Sequence, residues 1–503
     1  MFRQARWEEP LLIERSGTGK IGLLLPELTP QEREALKGVE RELSGLRREE
    51  LPLPSLSQHE VVRHFTRLSQ QSYGVDLGFY PLGSCTMKYN PKVNDALAAL
   101  EALRELHPYQ AEESVQGLLA LLYELEQMLC EITGMARFSL QPPAGSSGEF
   151  CGVSIMRAFF RRRGEERQEV LVPDSAHGSN FASASLAGFR VRVIRSDEEG
   201  CVDVEALKAA VGPRTAGLML TNPNTLGIFE RRISEIADII HEAGGLLYYD
   251  GANLNSLLGI ARPADMGFDI VHVNLHKTFS TPHGGGGPGA GPLGVSAQLE
   301  PYLPAPLIAF DGRRYFLDYD RPLSIGRARA FYGQIPVLVR AYAYILSLGA
   351  AGLRRVAELS VLHSNYLLRR LLRSGYFELP YRPEKHRKHE FVIAPSARLR
   401  KRGVRAWDLA KRLLDYGHHA PTVYFPQIVE EALMIEPTES ATKEELDAFA
   451  EALIAACKER ASTLRRAPHN AAAQRVDEVR ASHPLTLCVT WRQLRALEPK
   501  AEG

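Results

Sequence analysis

The sequence predicts an α/β protein: a large domain built on a mixed, mostly parallel sheet, followed by a smaller α+β domain. Three observations carry that expectation. Between about residues 138 and 300, short apolar runs alternate with helical segments, the pattern of strands covered on both faces. Beyond about residue 352 the character changes to helices and short strands such as Glu390-Phe391-Val392-Ile393. At 503 residues the chain is also longer than one hydrophobic core usually organises.

Taken in order, residues 1–60 are rich in charge and proline and read as an N-terminal arm. Residues 61–350 form the expected large domain. It opens with a helix and then a loop, Tyr80-Pro81-Leu82-Gly83-Ser84-Cys85-Thr86-Met87-Lys88-Tyr89-Asn90-Pro91. From Gln116 to Met135, Leu118, Leu119, Leu122, Leu125 and Leu129 recur at helical spacing. Strands are expected at Val170 to Val172, Val191 to Ile194, Gly217 to Leu220, Leu246 to Tyr249 and Ile270 to Val273. Helices are expected at Phe150 to Arg161, Arg232 to Ala243 and Ile335 to Leu348. Residues 351–483 make the smaller domain, and 484–503 a tail.

Bulk properties exclude several classes. The chain is 45% hydrophobic and 24% charged, ordinary for a globular enzyme, and its net charge of +1 gives no sign of a nucleic-acid or acidic-membrane partner. Six scattered cysteines (Cys85, Cys130, Cys151, Cys201, Cys457, Cys488) show no CxxC pair and no metal spacing, which fits free thiols in a reducing compartment. No apolar run approaches the roughly 18–20 residues of a membrane span, and Glu8, Glu9 and Glu14 interrupt any signal peptide. A cytoplasmic protein is the expectation.

Chemistry concentrates where the strands end. In parallel sheets ligands sit at the carboxyl ends of the strands. There Leu246 to Tyr249 runs into Asp250, and Ile270 to Val273 runs into Asn274-Leu275-His276-Lys277-Thr278-Phe279. An amine that condenses with an aldehyde, beside a carboxylate that keeps a pyridine nitrogen protonated, is what pyridoxal phosphate chemistry needs. Upstream, Pro143-Ala144-Gly145-Ser146-Ser147-Gly148-Glu149 precedes a helix. Taken alone its free N–H groups and two hydroxyls read more readily as an ordinary helix cap, but beside Asp250 and Lys277 they suit a phosphate. His177, after another strand, is either a ring-stacking imidazole or a structural histidine. Thr221-Asn222-Pro223-Asn224-Thr225 is either a cofactor contact or a capped turn. Gly289-Ala290-Gly291-Pro292-Leu293-Gly294 matches a dinucleotide fingerprint, but no strand precedes it and Pro292 occupies the helix start, so that reading fails. The run Gly284 to Gly287 reads as a loop passing close to a ligand or partner. Cys85, with Lys88 nearby, is a reactive thiol or simply a buried small residue.

The strings Tyr80 to Pro91, Asp174 to Asn180, LTNPNTLG from Leu220, DGANLN from Asp250 and NLHKTFSTPHGGGGPG from Asn274 closely resemble the glycine dehydrogenase (decarboxylating) family. This is the P-protein of the glycine cleavage system, and the likeness runs from about Ile13 to Arg480. It implies an aspartate-aminotransferase-like transferase of fold type I using pyridoxal 5'-phosphate. Lys277 would be the lysine that binds the aldehyde, Asp250 the partner of the ring nitrogen and His177 the stacking residue. The phosphate turn falls on Ala144, Gly145, Ser146 and Ser147. Thr221, Asn222, Ala252 and His276 complete the expected cofactor contacts. The resemblance further implies glycine as substrate, an α-type partner subunit in an α2β2 hetero-oligomer, and a lipoylated H-protein that accepts the aminomethyl group. Two departures bear on the pocket wall: Phe181 where relatives usually carry proline, and the pair Ser146-Ser147. A different enzyme of the same fold is the main rival, with Arg327 or Arg329 as an aminotransferase-type carboxylate clamp. A non-catalytic scaffold is the other.

Overall fold

The computed structural model describes residues 5–17, 19–47, 51, 53–283 and 289–496, so the glycine run Gly284 to Gly287 lies outside the described residues. Two compact units are present, residues 75–465 and a second formed by the segments on either side.

The larger unit is organised by a seven-stranded sheet. Its strands are β1 (Arg137–Ser139), β2 (Glu169–Pro173), β3 (Arg190–Ile194), β4 (Thr215–Thr221), β5 (Leu246–Gly251), β6 (Ile270–Val273) and β7 (Leu293–Val295). They run in the order β1-β7-β6-β5-β4-β2-β3. All neighbours are parallel except the two pairings of β7. The five strands expected from their apolar runs are β2 to β6. Every residue of β4, β5 and β6 is buried, which is why those runs do not alternate.

Helices cover the sheet as their stripes dictate. In Gln116–Thr133 the expected leucines 118, 119, 122, 125 and 129 are all at most 2% exposed, and each contributes about 1.5–3 kcal/mol by leaving water. Gly134 ends that helix in the left-handed region (φ 77°), its N–H donating to the Cys130 carbonyl. The helix Gly145–Arg162 starts five residues earlier than the apolar pattern indicates, because its first turn is glycine and serine. It lies very close to the sheet: a Cβ at Gly152 would come within 2.3 Å of Tyr248 Cε2.

The helix Ile335–Arg373 is interrupted at Gly349 (φ 60°, ψ −175°), directly after the expected end at Leu348. By length and composition it is the one helix among the described residues capable of crossing a membrane. Its inward residues, including Leu338, Ala341, Ile345 and Leu353, are instead part of the protein core. A hairpin of β8 (Leu307–Phe310) and β9 (Tyr315–Asp318) follows the large sheet. A second, four-stranded antiparallel sheet joins β10 (Phe377–Glu378), β11 (Phe391–Pro395), β13 (Leu433–Ile435) and β12 (Thr422–Val423), in that order.

In the other unit the expected irregular arm contains a 14-residue helix, Pro30–Leu43, that buries none of its own residues. Thr29 and Glu32 close a capping box around Pro30, a local signal strong enough to start a helix without a core. In the same unit Glu9 binds His64 at 3.0 Å and Arg15 at 3.2 Å.

Candidate active site

Register places the central residues. Thr221 on β4 pairs with Asp250 on β5, and Asp250 pairs with His272 on β6, so three adjacent strands carry them side by side. Just beyond β6, Lys277 sits in the short helix Leu275–Thr278, anchored by buried Leu275, whose N–H donates to the Ala290 carbonyl at 3.1 Å. Lys277 and Asp250 line one cleft of about 230 Å³, together with Ala144, Gly145, Ser146, His177, Thr221, Ala252 and His276. Nine of the eleven residues singled out in the sequence therefore meet.

The other two stand apart from that lining. Asn222 is wholly buried, with its side-chain oxygen accepting from the Glu230 N–H at 3.0 Å and its amide 3.8 Å from Met266 Sδ. It braces the turn after β4. Ser147 lies in the first turn of Gly145–Arg162 but is not among the residues facing the cleft. Arg327 packs over the rings of Tyr109 and Tyr319, and Arg329 over Phe331, so neither clamps a carboxylate in this cleft.

The electrostatics separate the carboxylates. Burial works against charge on Asp250, but His272, the Asn180 amide, Lys277 and the Ala252 N–H outweigh it and hold the carboxyl below its usual range. Asn180 Nδ2 donates to Asp250 Oδ2 at 2.9 Å, Thr221 Oγ1 to the same oxygen at 3.3 Å, and Ala252 N–H to Oδ1 at 3.0 Å. His272 Nε2 is 3.4 Å from Asp250 Oδ1 and 3.0 Å from the Asn274 amide, while its Nδ1 meets the Tyr248 hydroxyl at 2.8 Å. Burial pushes that imidazole down to about 4, so it is neutral.

Glu149 ends the glycine-serine string, yet nothing in its local sequence marks it as a site residue. It lines the cleft and accepts from Ser179 Oγ at 2.9 Å and Ser183 Oγ at 3.3 Å. Ser179 Oγ in turn is 2.6 Å from His177 Nδ1, so the three residues form a chain. Burial, reinforced by Asp250, pushes the Glu149 carboxyl up to about 8. A carboxyl raised from 4.5 stays protonated in the folded state while the unfolded chain has released its proton. Stability is then fully present below about pH 4.5 and is lost as pH rises through about 8. Glu149→Gln keeps a neutral head group, so its thermal midpoint should fall less steeply across that window than the wild type's. Parallel slopes in a pH series of melting curves would show that Glu149 does not carry the proton. Ser84, Ser179, Asn253 and Asn274 also line the cleft without having been singled out, although all four sit inside the family-like strings.

The fit to a phosphorylated pyridine aldehyde rests on three observations. Ala144 caps the helix Gly145–Arg162 without a side-chain hydrogen bond, leaving first-turn N–H groups at the cleft for an anion. A Cβ at Gly145 would lie 2.2 Å from Asn274 Oδ1, so only glycine allows this close cradle. Asn180 Oδ1 is buried with no partner, beside the carboxylate expected to meet the ring. His177 caps the helix Gly178–Leu186, accepting from the Ser179 N–H, and its ring meets Phe425 edge-on at 5.8 Å. Cys85 is half-buried, and burial pushes its thiol up to about 11, which argues against a reactive thiolate in the free protein.

The sheet order and the cleft at its strand ends are those of fold type I, the architecture of the pyridoxal-phosphate-dependent transferases. Solved structures bear out the fold. The inhibitor-bound glycine decarboxylase (P-protein) of the glycine cleavage system superposes with a TM-score of 0.72 at 24% identity, over 86% of this chain and all of that one. A sphingosine-1-phosphate lyase of Burkholderia pseudomallei follows at 0.61 and 15%, over 89% and 95%.

Sequence comparison is more specific. Residues 33–314 match the model of the glycine cleavage system P-protein, and 356–477 that of the glycine dehydrogenase C-terminal domain. The chain is 56% identical to the probable glycine dehydrogenase (decarboxylating) subunit 2 of Pyrococcus abyssi, over 100% of this chain and 99% of that protein. It is 57% identical to the protein of the same name from Caldanaerobacter subterraneus, over 94% and 97%. The chain belongs to the glycine dehydrogenase (decarboxylating) family, on the subunit 2 branch of the glycine cleavage system P-protein.

Proposed function

We propose that this chain is the lysine-bearing subunit of a two-subunit glycine decarboxylase, working on pyridoxal 5'-phosphate held in the cleft described above and passing the aminomethyl group to the lipoyl arm of an H-protein. The observation that carries this reading is the meeting of Lys277, Asp250 and the helix start at Ala144 to Ser146 in one cleft. The bound cofactor supplies an electron sink for the pair left on the glycine carbon as carbon dioxide departs.

The rest is the work of the protein's own groups. Lys277 would offer the amine that holds the aldehyde of the bound cofactor. Asp250, fixed by three donors, keeps a negative charge where the ring nitrogen must stay protonated. N–H groups of Gly145 and Ser146 take the phosphate. Thr221, Ala252 and His276 form the wall. His177, tied through Ser179 to Glu149, covers the ring and can steer a proton.

The same reading takes residues 1–60 as an arm, 61–350 as the cofactor-binding domain, 351–483 as the smaller domain and 484–503 as a tail. It places the protein in the cytoplasm, in an α2β2 assembly with the α-type subunit. The purified chain, its partner subunit and lipoylated H-protein should together exchange labelled bicarbonate into glycine, while omission of H-protein should cut the rate by orders of magnitude. Exchange of an amino group between two amino acids, with no carbon dioxide, would instead support the aminotransferase reading.

A further inference from the structure

Beyond the cleft lining lies a second buried cluster that the reaction scheme leaves unused. Phe391 and Ile435 are register partners in β11 and β13, so Glu390 and Glu436, one step outside each strand, face each other. With His389 they are fully buried, and their ligating atoms all lie within 4.8 Å of one another. Neither ring nitrogen of His389 has a hydrogen-bond partner. Among the described residues no lysine or arginine is ion-paired to either carboxylate; the nearby Lys88 binds Glu439 at 2.8 Å instead.

Glu390 grips two residues of the cleft wall, and Glu436 grips residues two positions further along the same segments. Glu390 Oε2 accepts from the Ser84 N–H at 2.8 Å and its Oε1 from Asn253 Nδ2 at 3.2 Å. Glu436 accepts from the Thr86 N–H at 2.9 Å, from Thr86 Oγ1 at 2.6 Å and from Asn255 Nδ2 at 3.4 Å. Ser84 and Asn253 line the cleft. Ser84 (φ 64°) and Thr86 (φ 48°) are both left-handed, a conformation that side-chain-bearing residues hold only when neighbours enforce it.

We propose that Glu390 and Glu436 are positioning residues that share one proton, carried by Glu390, and that the pair holds the 84–86 turn and Asn253 in place against the cofactor cleft. Two facing carboxylates in a dry interior without a paired cation cannot both ionise. Glu436, with three donors against two, is the better anion. Burial pushes both carboxyls up, Glu390 the further because Glu436 repels its charge, against the pull of Lys277 on both and of the Thr86 donors and Lys88 on Glu436. Burial keeps His389 neutral, down to about 3.

The test uses the full chain with its partner subunit. It rests on the proposed glycine reaction only for its kinetic arm. Infrared difference spectra of wild type against E390Q should reveal an un-ionised carboxylic acid band that persists from about pH 6 to 9 and is lost in E390Q. In glycine–bicarbonate exchange E390Q should raise the glycine KM less than E390A does, because the amide is neutral like the acid and keeps one of its two acceptors, whereas E390A and E436Q should raise it about tenfold or more by leaving buried donors unmet. Cofactor titration of the apo-protein should weaken in the same order. The proposal is overturned if E390Q leaves the band in place, if E390Q is as damaging as E390A, or if the purified protein holds one divalent ion per chain that E436Q releases. Should E436Q fail to fold, the E390Q band still decides. A chain with the band but no glycine exchange would sink the functional reading and leave the proton pair standing.

Discussion

Lys277→Ala is expected to abolish glycine-dependent release of carbon dioxide and to remove the visible absorbance that a lysine-bound cofactor would give the purified protein. The substitution deletes the only amine among the described cleft-lining side chains and leaves the rest intact: Leu275 remains buried and the Asn274 to Thr278 turn keeps its backbone bonds. Cofactor should still bind through the helix start at Ala144, more weakly and as the free aldehyde. Its replacement by glycine then lacks the enzyme-bound starting state, so the loss falls on turnover and not on fold. An absorbance scan and a bicarbonate exchange assay read the two effects separately. Exchange at a wild-type rate would remove Lys277 from its role.

Asp250→Asn is expected to retain cofactor and lose turnover by about 10³-fold, equivalent to about 4 kcal/mol of transition-state stabilisation. The amide is nearly isosteric, but it cannot hold a negative charge against the ring nitrogen. One end of it must also point an N–H₂ group at Asn180 Nδ2 or the Ala252 N–H, both donors. Steady-state kinetics beside a cofactor titration distinguish the outcomes. A near-normal rate would show that the ring nitrogen is held by another group.

Much of this architecture is legible in the residues alone. The central strands are apolar from end to end because both faces are covered, and a run such as Leu246 to Tyr249 is too short and too uniformly apolar for an amphipathic helix. Leu118 to Leu129 declare their helix by spacing alone. The helix start at Gly145 is obscured because glycine and serine are weak helix formers, and their small size serves the close approach to Asn274 and the sheet. The helix at Pro30–Leu43 carries its own signal in Thr29, Pro30 and Glu32, outvoted by the charge and proline around it.

Site residues divide in the same way. Lys277 and Asp250 announce themselves by following strands, whereas Asn222, equally well placed in sequence, turns into the protein to brace a turn. Glu149 acquires its altered acidity only from burial near Asp250, a residue far along the chain. Glu390 and Glu436 meet the Ser84 to Thr86 turn across more than 300 residues of chain. Contacts of that span leave no periodic trace.

The rungs that align Thr221, Asp250 and His272 have an evolutionary corollary. Adding or deleting one residue within Leu246 to Tyr249 would rotate the carboxylate to the opposite face of the sheet, whatever its neighbours were. The spacing inside those strands is thus what holds the carboxylate at the cleft.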